Sequence, residues 1–127
     1  MAVSAEFAEH LHDLFGALGP VQTKRMFGGA GVYLDDAMFA LVIEDSIYMK
    51  ADPDLAKAYA EAGSTPFFYD TSDGGRTIAG LMSLPDSALD DPDEALEWAR
   101  RSLVPAELAA AQKRAAKARK TAKKAKT

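Results

Sequence analysis

The 127-residue chain contains no cysteine. That one absence excludes disulfides, thiolate metal centres, cysteine nucleophiles and thiol redox chemistry, and it fits a reducing compartment. Histidine is nearly missing as well: His10 and His12 are the only two. Both fall in one predicted helix, about 200° apart around its axis, so they cannot share a metal ion or a proton. No apolar run approaches the ~20 residues that cross a bilayer. The opening "MAVSAEFAEH" lacks the basic-then-apolar order of a secretion signal. A cytoplasmic protein with no membrane partner is expected.

What is present is enough apolar residue, 48%, to fold. The length holds one modest core and no second. The formal net charge of −4 hides an asymmetry. Residues 1–104 carry 7 Lys/Arg against 18 Asp/Glu, a net −11, while residues 105–127 carry 8 Lys/Arg against one Glu, a net +7. An acidic body with a basic end is a statement about partners.

Along the chain, "SAEFAEHLHDLFGALG" places Phe7, Leu11, Leu14, Phe15 and Leu18 on one helical stripe, with Ser4 as its cap and Gly19-Pro20 as its stop. Four β-like runs follow at 21–27, 30–34, 38–43 and 46–50. They are joined by turns so short that neighbours must pair as antiparallel hairpins. "DPDLAKAYAEAGS" is a second helix, with Asp52 at the cap, Pro53 in the first turn and Gly63 past the end. "PFFYD" and "RTIAGLMSLP" are two more strands. "DPDEALEWARRSL" is a third helix with Asp91 as cap, and Pro105 starts a further stretch that is almost all Ala, Lys and Arg. The order α-β-β-β-β-α-β-β-α predicts an α+β fold: an antiparallel sheet of about six strands with helices packed on it. The composition boundary divides a body, 1–104, from a tail, 105–127, that is helical or disordered.

"KRMFGGAGVYLDD" holds the one glycine cluster that invites a ligand reading. A phosphate loop needs its glycines between a strand and a helix, whose N-terminus supplies the anion-binding N–H groups. Here the glycines lie between two strands and no GK[ST] follows. Hairpin geometry accounts for them, with Gly28 or Gly29 at positive φ and Gly31 permitting a bulge or close packing. The carboxylate pairs Asp35-Asp36, Glu44-Asp45, Asp52/Asp54 and Asp90-Asp91 sit at predicted turns and caps, where such side chains accept backbone N–H bonds. No nucleophile elbow is present. No enzyme signature, metal site or cofactor site emerges.

Two partner readings survive. The aromatic strands, flanked by Arg25, Lys50 and Arg76, form a stacking platform for single strands if they are exposed. The tail, if helical, steps Lys113, Lys117, Lys120 and Lys124 along one face and Ala111, Ala115, Ala118 and Ala122 along another. With Arg114, Arg119, Lys123 and Lys126 it suits sequence-independent contact with nucleic-acid phosphates.

"RMFGGAGVYLDDAMFALV", "IYMKAD", "GSTPFFY" and "DPDEALEWARRSL" together resemble the N-terminal domain of the TfoX/Sxy family, across nearly all of residues 5–104. The resemblance implies a secretion-chaperone-like α+β layer and a non-enzymatic regulator of DNA-uptake competence that acts with the transcription machinery. It supplies no catalytic residue. Among the positions that match the family's pattern are Arg25, Phe27, Gly28, Gly29 and Lys50, and Arg25 and Lys50 are the likeliest to do more than pack. Full-length members carry a second, helical domain where this sequence has the Ala/Lys tail. The expectation is therefore a monomeric or homodimeric regulatory adaptor whose body binds a protein and whose tail adds nucleic-acid affinity. The alternatives are a small-molecule or nucleotide site at the FGGAG corner using Arg25 and Lys50, or a homodimer through an open sheet edge or aromatic face.

Overall fold

A computed structural model of the chain describes residues 5–26, 29–43, 46–71 and 74–125. Helix α1 (Ala5–Phe15) leads through a 3-10 turn at Gly16–Leu18 into strands β1 (Val21–Met26), β2 (Gly29–Leu34), β3 (Ala37–Ile43) and β4 (Ser46–Lys50). Helix α2 (Pro53–Glu61) then precedes β5 (Pro66–Thr71) and β6 (Gly74–Ser83). The short α3 (Asp86–Leu89) and the long α4 (Pro92–Ala125) complete the chain. The α+β class and the six-stranded antiparallel sheet match the sequence reading, with strand order β1-β2-β3-β4-β6-β5. Two helix starts are also as read: Asp52 Oδ1 accepts the Leu55 N–H at 2.8 Å, and Asp91 Oδ1 accepts those of Asp93 and Glu94 at 3.1 and 3.2 Å.

The meander β1–β4 follows from its turns. Asp35 takes the left-handed conformation, φ 55°, which Asp tolerates better than most residues, and this closes the β2–β3 hairpin. Register then builds the core. Val32 pairs with Ala40, Ala40 with Met49 and Met49 with Met82, so one row of buried side chains crosses four strands. A β-bulge opposite Val32 and Tyr33 leaves Phe39 as the extra residue of β3. A bulge turns two successive side chains to one side. Phe39 and Ala40 are accordingly both fully buried, and the Phe39 ring meets Phe15 of α1 edge-on at 5.3 Å.

Helix α4 lies along β3 and β4 and also touches α1 and α3. Its core stripe is Ala95, Ala99, Ser102, Leu103, Ala106 and Ala110. Small side chains let a helix approach a sheet closely, so burial here follows alanine more than the larger apolar residues. Val104 and Leu108 point the other way and are exposed.

The composition boundary at Pro105 is not an element boundary. Helix α4 passes through it without a break, Pro105 standing inside. Proline deprives the carbonyl four residues back of its partner. That carbonyl belongs to Arg101, an exposed residue. Ala106 and Ala110, on the tail side of the composition boundary, are buried in the common core. The helix therefore leaves the body not at Pro105 but near Ala110; from Ala111 to Thr121 every residue is exposed.

Candidate functional site

Three regions come into question: the glycine corner with the aromatic strands beside it, the Tyr59–Ser102 contact between α2 and α4, to which nothing in the sequence had pointed, and the end of α4 with the space beneath it.

At the corner, Phe27 and Gly28 lie outside the described residues. Gly29 does not take positive φ; it is required by proximity. A Cβ there would stand 1.9 Å from the Val42 carbonyl oxygen of β3, so any side chain would push the two strands apart. The glycine serves the sheet. Arg25 and Lys50 are not brought together. Arg25 pairs with Ala30 near the end of the sheet where β1 finishes, and Lys50 stands at the other end, where β4 finishes. Strands β1 and β4 are also three strand spacings apart, roughly 14 Å. This placement lends no support to a nucleotide site that uses both cations at the FGGAG corner.

The strand aromatics are spread from core to surface, and Phe39 is the one buried among those described. Tyr33, Tyr48 and Phe67 are half-buried, with Tyr48 and Phe67 rings 4.8 Å apart. Phe68 is exposed, yet its ring lies over Gly75, where a Cβ would come within 2.0 Å of it. The side chains of Tyr69 and Arg76 are outside the described residues.

Between α2 and α4, Tyr59 is completely buried and its ring stacks on Trp98 at 4.3 Å. Its hydroxyl donates to the Trp98 carbonyl at 3.3 Å and shares a 2.6 Å hydrogen bond with Ser102 Oγ. Glu94 Oε2 accepts from Trp98 Nε1 at 3.1 Å and from Ser87 Oγ at 2.7 Å. Burial pushes the Tyr59 pKa well above 10.0, against the opposing pull of Ser102 and Arg101, so the phenol stays neutral. With its hydrogen bonds satisfied and its ring enclosed, this is a polar latch holding two helices.

The third region has functional character. The projecting part of α4 carries Lys113, Arg114, Lys117, Arg119 and Lys120, all exposed. Lys126 and the side chains of Lys123 and Lys124 lie outside the described residues. Arg114 is bound to the body: its Nη1 donates to Asp36 Oδ2 in the β2–β3 turn. The Arg114 hydrogen bond and charge hold the Asp36 carboxyl below its ordinary 3.8, with Lys24 adding a smaller pull. Lys24 Nζ in turn sits 4.8 Å from the centre of the Tyr33 ring. An open groove of about 710 Å³ runs between the underside of α4 and the strand ends that carry Tyr33, Met38 and Lys50. It is continued by a smaller hollow of about 320 Å³ at Asp36, Lys113 and Lys117. Sequence reading singled out Lys50 and Lys113 separately. It had no signal that they share a groove, because α4's path over the sheet end is a tertiary fact.

Among the described residues no group of three His, Asp or Glu side chains is placed to hold a metal ion, and no helix is long and apolar enough to cross a membrane. Fold and site together define a small α+β layer domain with a long helix that carries a basic, projecting end. The chain belongs to the TfoX N-terminal domain family, which matches residues 13–106. The match ends close to where α4 leaves the body, so the basic end lies outside it. Membership groups the chain with TfoX-type regulatory proteins, a family not known for enzymes. No curated protein matches the chain closely enough to serve as a relative.

Proposed function

We propose that this protein is a non-enzymatic regulatory adaptor. Its α+β body docks on a protein of the transcription machinery, and the end of α4 holds nucleic-acid phosphates without regard to sequence. Family membership supports the regulatory part. One observation supports the nucleic-acid part: besides Arg114, which is tied to Asp36, four exposed cations stand on a helix anchored in the core through Ala106 and Ala110, while residues 1–104 are acidic. Rigid anchoring lowers the entropy that a disordered basic tail would lose on binding.

The test is fluorescence anisotropy of a random-sequence duplex titrated with full-length protein at several salt concentrations. Log affinity falls linearly with log salt, with slope about −0.9 per phosphate contact. The triple variant Lys113→Gln, Lys117→Gln, Lys120→Gln flattens that slope by up to about 2.7 if all three touch phosphate. A slope that the triple variant leaves unchanged, or no binding at low salt, refutes the nucleic-acid role.

A further inference from the structure

The groove beneath α4 has a chemistry that phosphate contact by the helix end does not use. Its helical wall is apolar, made by Ala106, Ala109 and Ala110, and Met38 of β3 adds to it from the sheet side. Two ammonium groups belong to it, Lys50 from β4 and Lys113 from α4. Among the described residues neither is engaged in a hydrogen bond or ion pair. The carboxylate within the groove, Asp36, is already taken by Arg114. An apolar concavity of this size with a few convergent polar groups is the usual form of a small-ligand site. Tyr33 and Gln112 add neutral polar groups, and the charged groups left free have one sign.

We infer that this groove binds an amphipathic anion, a molecule with an apolar body and one negatively charged head. The body lies on the alanine wall and Met38, displacing water from apolar surface. The head meets Lys50 and Lys113, each supplying a charge-assisted hydrogen bond. Lys50 comes from the sheet and Lys113 from the helix, so the ligand bridges the two and ties the root of the projecting helix to the body. The inference shares Lys113 with the proposed function and differs from it in Lys50, which stands off the α4 end and takes no part in phosphate contact there.

The probe is 1-anilinonaphthalene-8-sulfonate, added to the full-length folded protein, with its uncharged parent N-phenyl-1-naphthylamine as comparator. Expected is saturable, blue-shifted fluorescence from the sulfonate. Lys50→Gln weakens it about tenfold or more, the worth of one charge-assisted bond. Ala109→Trp, which fills the groove from a half-exposed position, abolishes it. The uncharged dye responds to Ala109→Trp but not to Lys50→Gln. Near-ultraviolet circular dichroism verifies that each variant is folded. Displacement of the sulfonate by dodecanoate assigns an aliphatic carboxylate, and displacement by naphthyl phosphate an aryl phosphate. Displacement by neither overturns the inference. So does sulfonate binding that survives Lys50→Gln and Ala109→Trp unchanged, or no saturable binding. Duplex binding that is unaltered by Lys50→Gln keeps this result distinct from the fate of the nucleic-acid reading.

Discussion

Composition places the end of the body at Val104, whereas packing places it near Gln112, and two shortened chains separate these boundaries. Cutting after Val104 removes Ala106 and Ala110, which are 1% and 7% exposed. Each buried methyl is worth about 0.8 kcal/mol. The sheet surface that the two residues cover becomes wet at the same time, roughly doubling the loss. The expected cost is about 2–4 kcal/mol, a sizeable share of the ~5–15 kcal/mol that holds a domain together. At about 4 °C per kcal/mol for a chain of this size, the melting temperature falls by roughly 8–16 °C. Among the described residues, cutting after Gln112 removes only exposed side chains, together with the surface pair Arg114–Asp36. Surface changes of that kind leave the melting temperature close to that of the full chain. Thermal unfolding followed by circular dichroism at 222 nm measures both. Equal melting temperatures for residues 1–104 and 1–112 would refute the assignment of Ala106 and Ala110 to the core. The same logic selects the chain for binding work: in the shorter form loss of the cations is mixed with loss of stability, and only the longer form isolates the cations.

Two further predictions concern the latch and the turn. Tyr59→Phe leaves the buried Ser102 hydroxyl without its 2.6 Å partner and costs about 1–3 kcal/mol. The double variant with Ser102→Ala costs less than the two single changes together, by at least about 0.5 kcal/mol in denaturant unfolding; strict additivity would show that the pair does not interact. Because the folded-state pKa of Tyr59 is raised, its contribution is complete below pH 10.0 and is lost as pH rises above it. Asp36 behaves in the opposite sense: its depressed folded pKa makes the pair with Arg114 stabilising above 3.8, an advantage lost as pH falls through the folded value. Carbon-13 NMR of the Asp36 carboxyl should show titration below 3.8 and a return toward it in Arg114→Gln; an ordinary midpoint in the unaltered protein contradicts the pairing.

Much of the fold was legible because its signals are local. Two-residue turns force hairpins, and Asp52 and Asp91 sit where their carboxylates meet helix N–H groups. What escaped had no local signature. The four residues of α3 are too few for a period to show, although Ala88 is fully buried. The bulge at Phe39 breaks the alternation of "MFALVI", so strand parity alone misassigns a face. Helix α4 hid its continuation because Pro105 reads as a start and because alanine reads as tail composition, even where it is core. The site was legible by halves. The cations of the α4 end were found as a charge run. The groove was not, since Met38, Lys50 and Ala110 come from three elements. That Arg25 and Lys50 occupy opposite ends of the sheet follows from counting the three hairpins between them.

The unbroken passage of α4 out of the body makes its outer half a rod whose phase is set by the core. Each residue inserted between Lys113 and Thr121 would advance everything beyond it by about 1.5 Å and turn it by about 100°. One inserted residue would swing the outer cations to another side of the molecule, while seven would return them nearly to their original bearing, about 10 Å farther out. The direction in which this protein presents charge is thus written in residue count, and a domain fused along the rod could be aimed by counting.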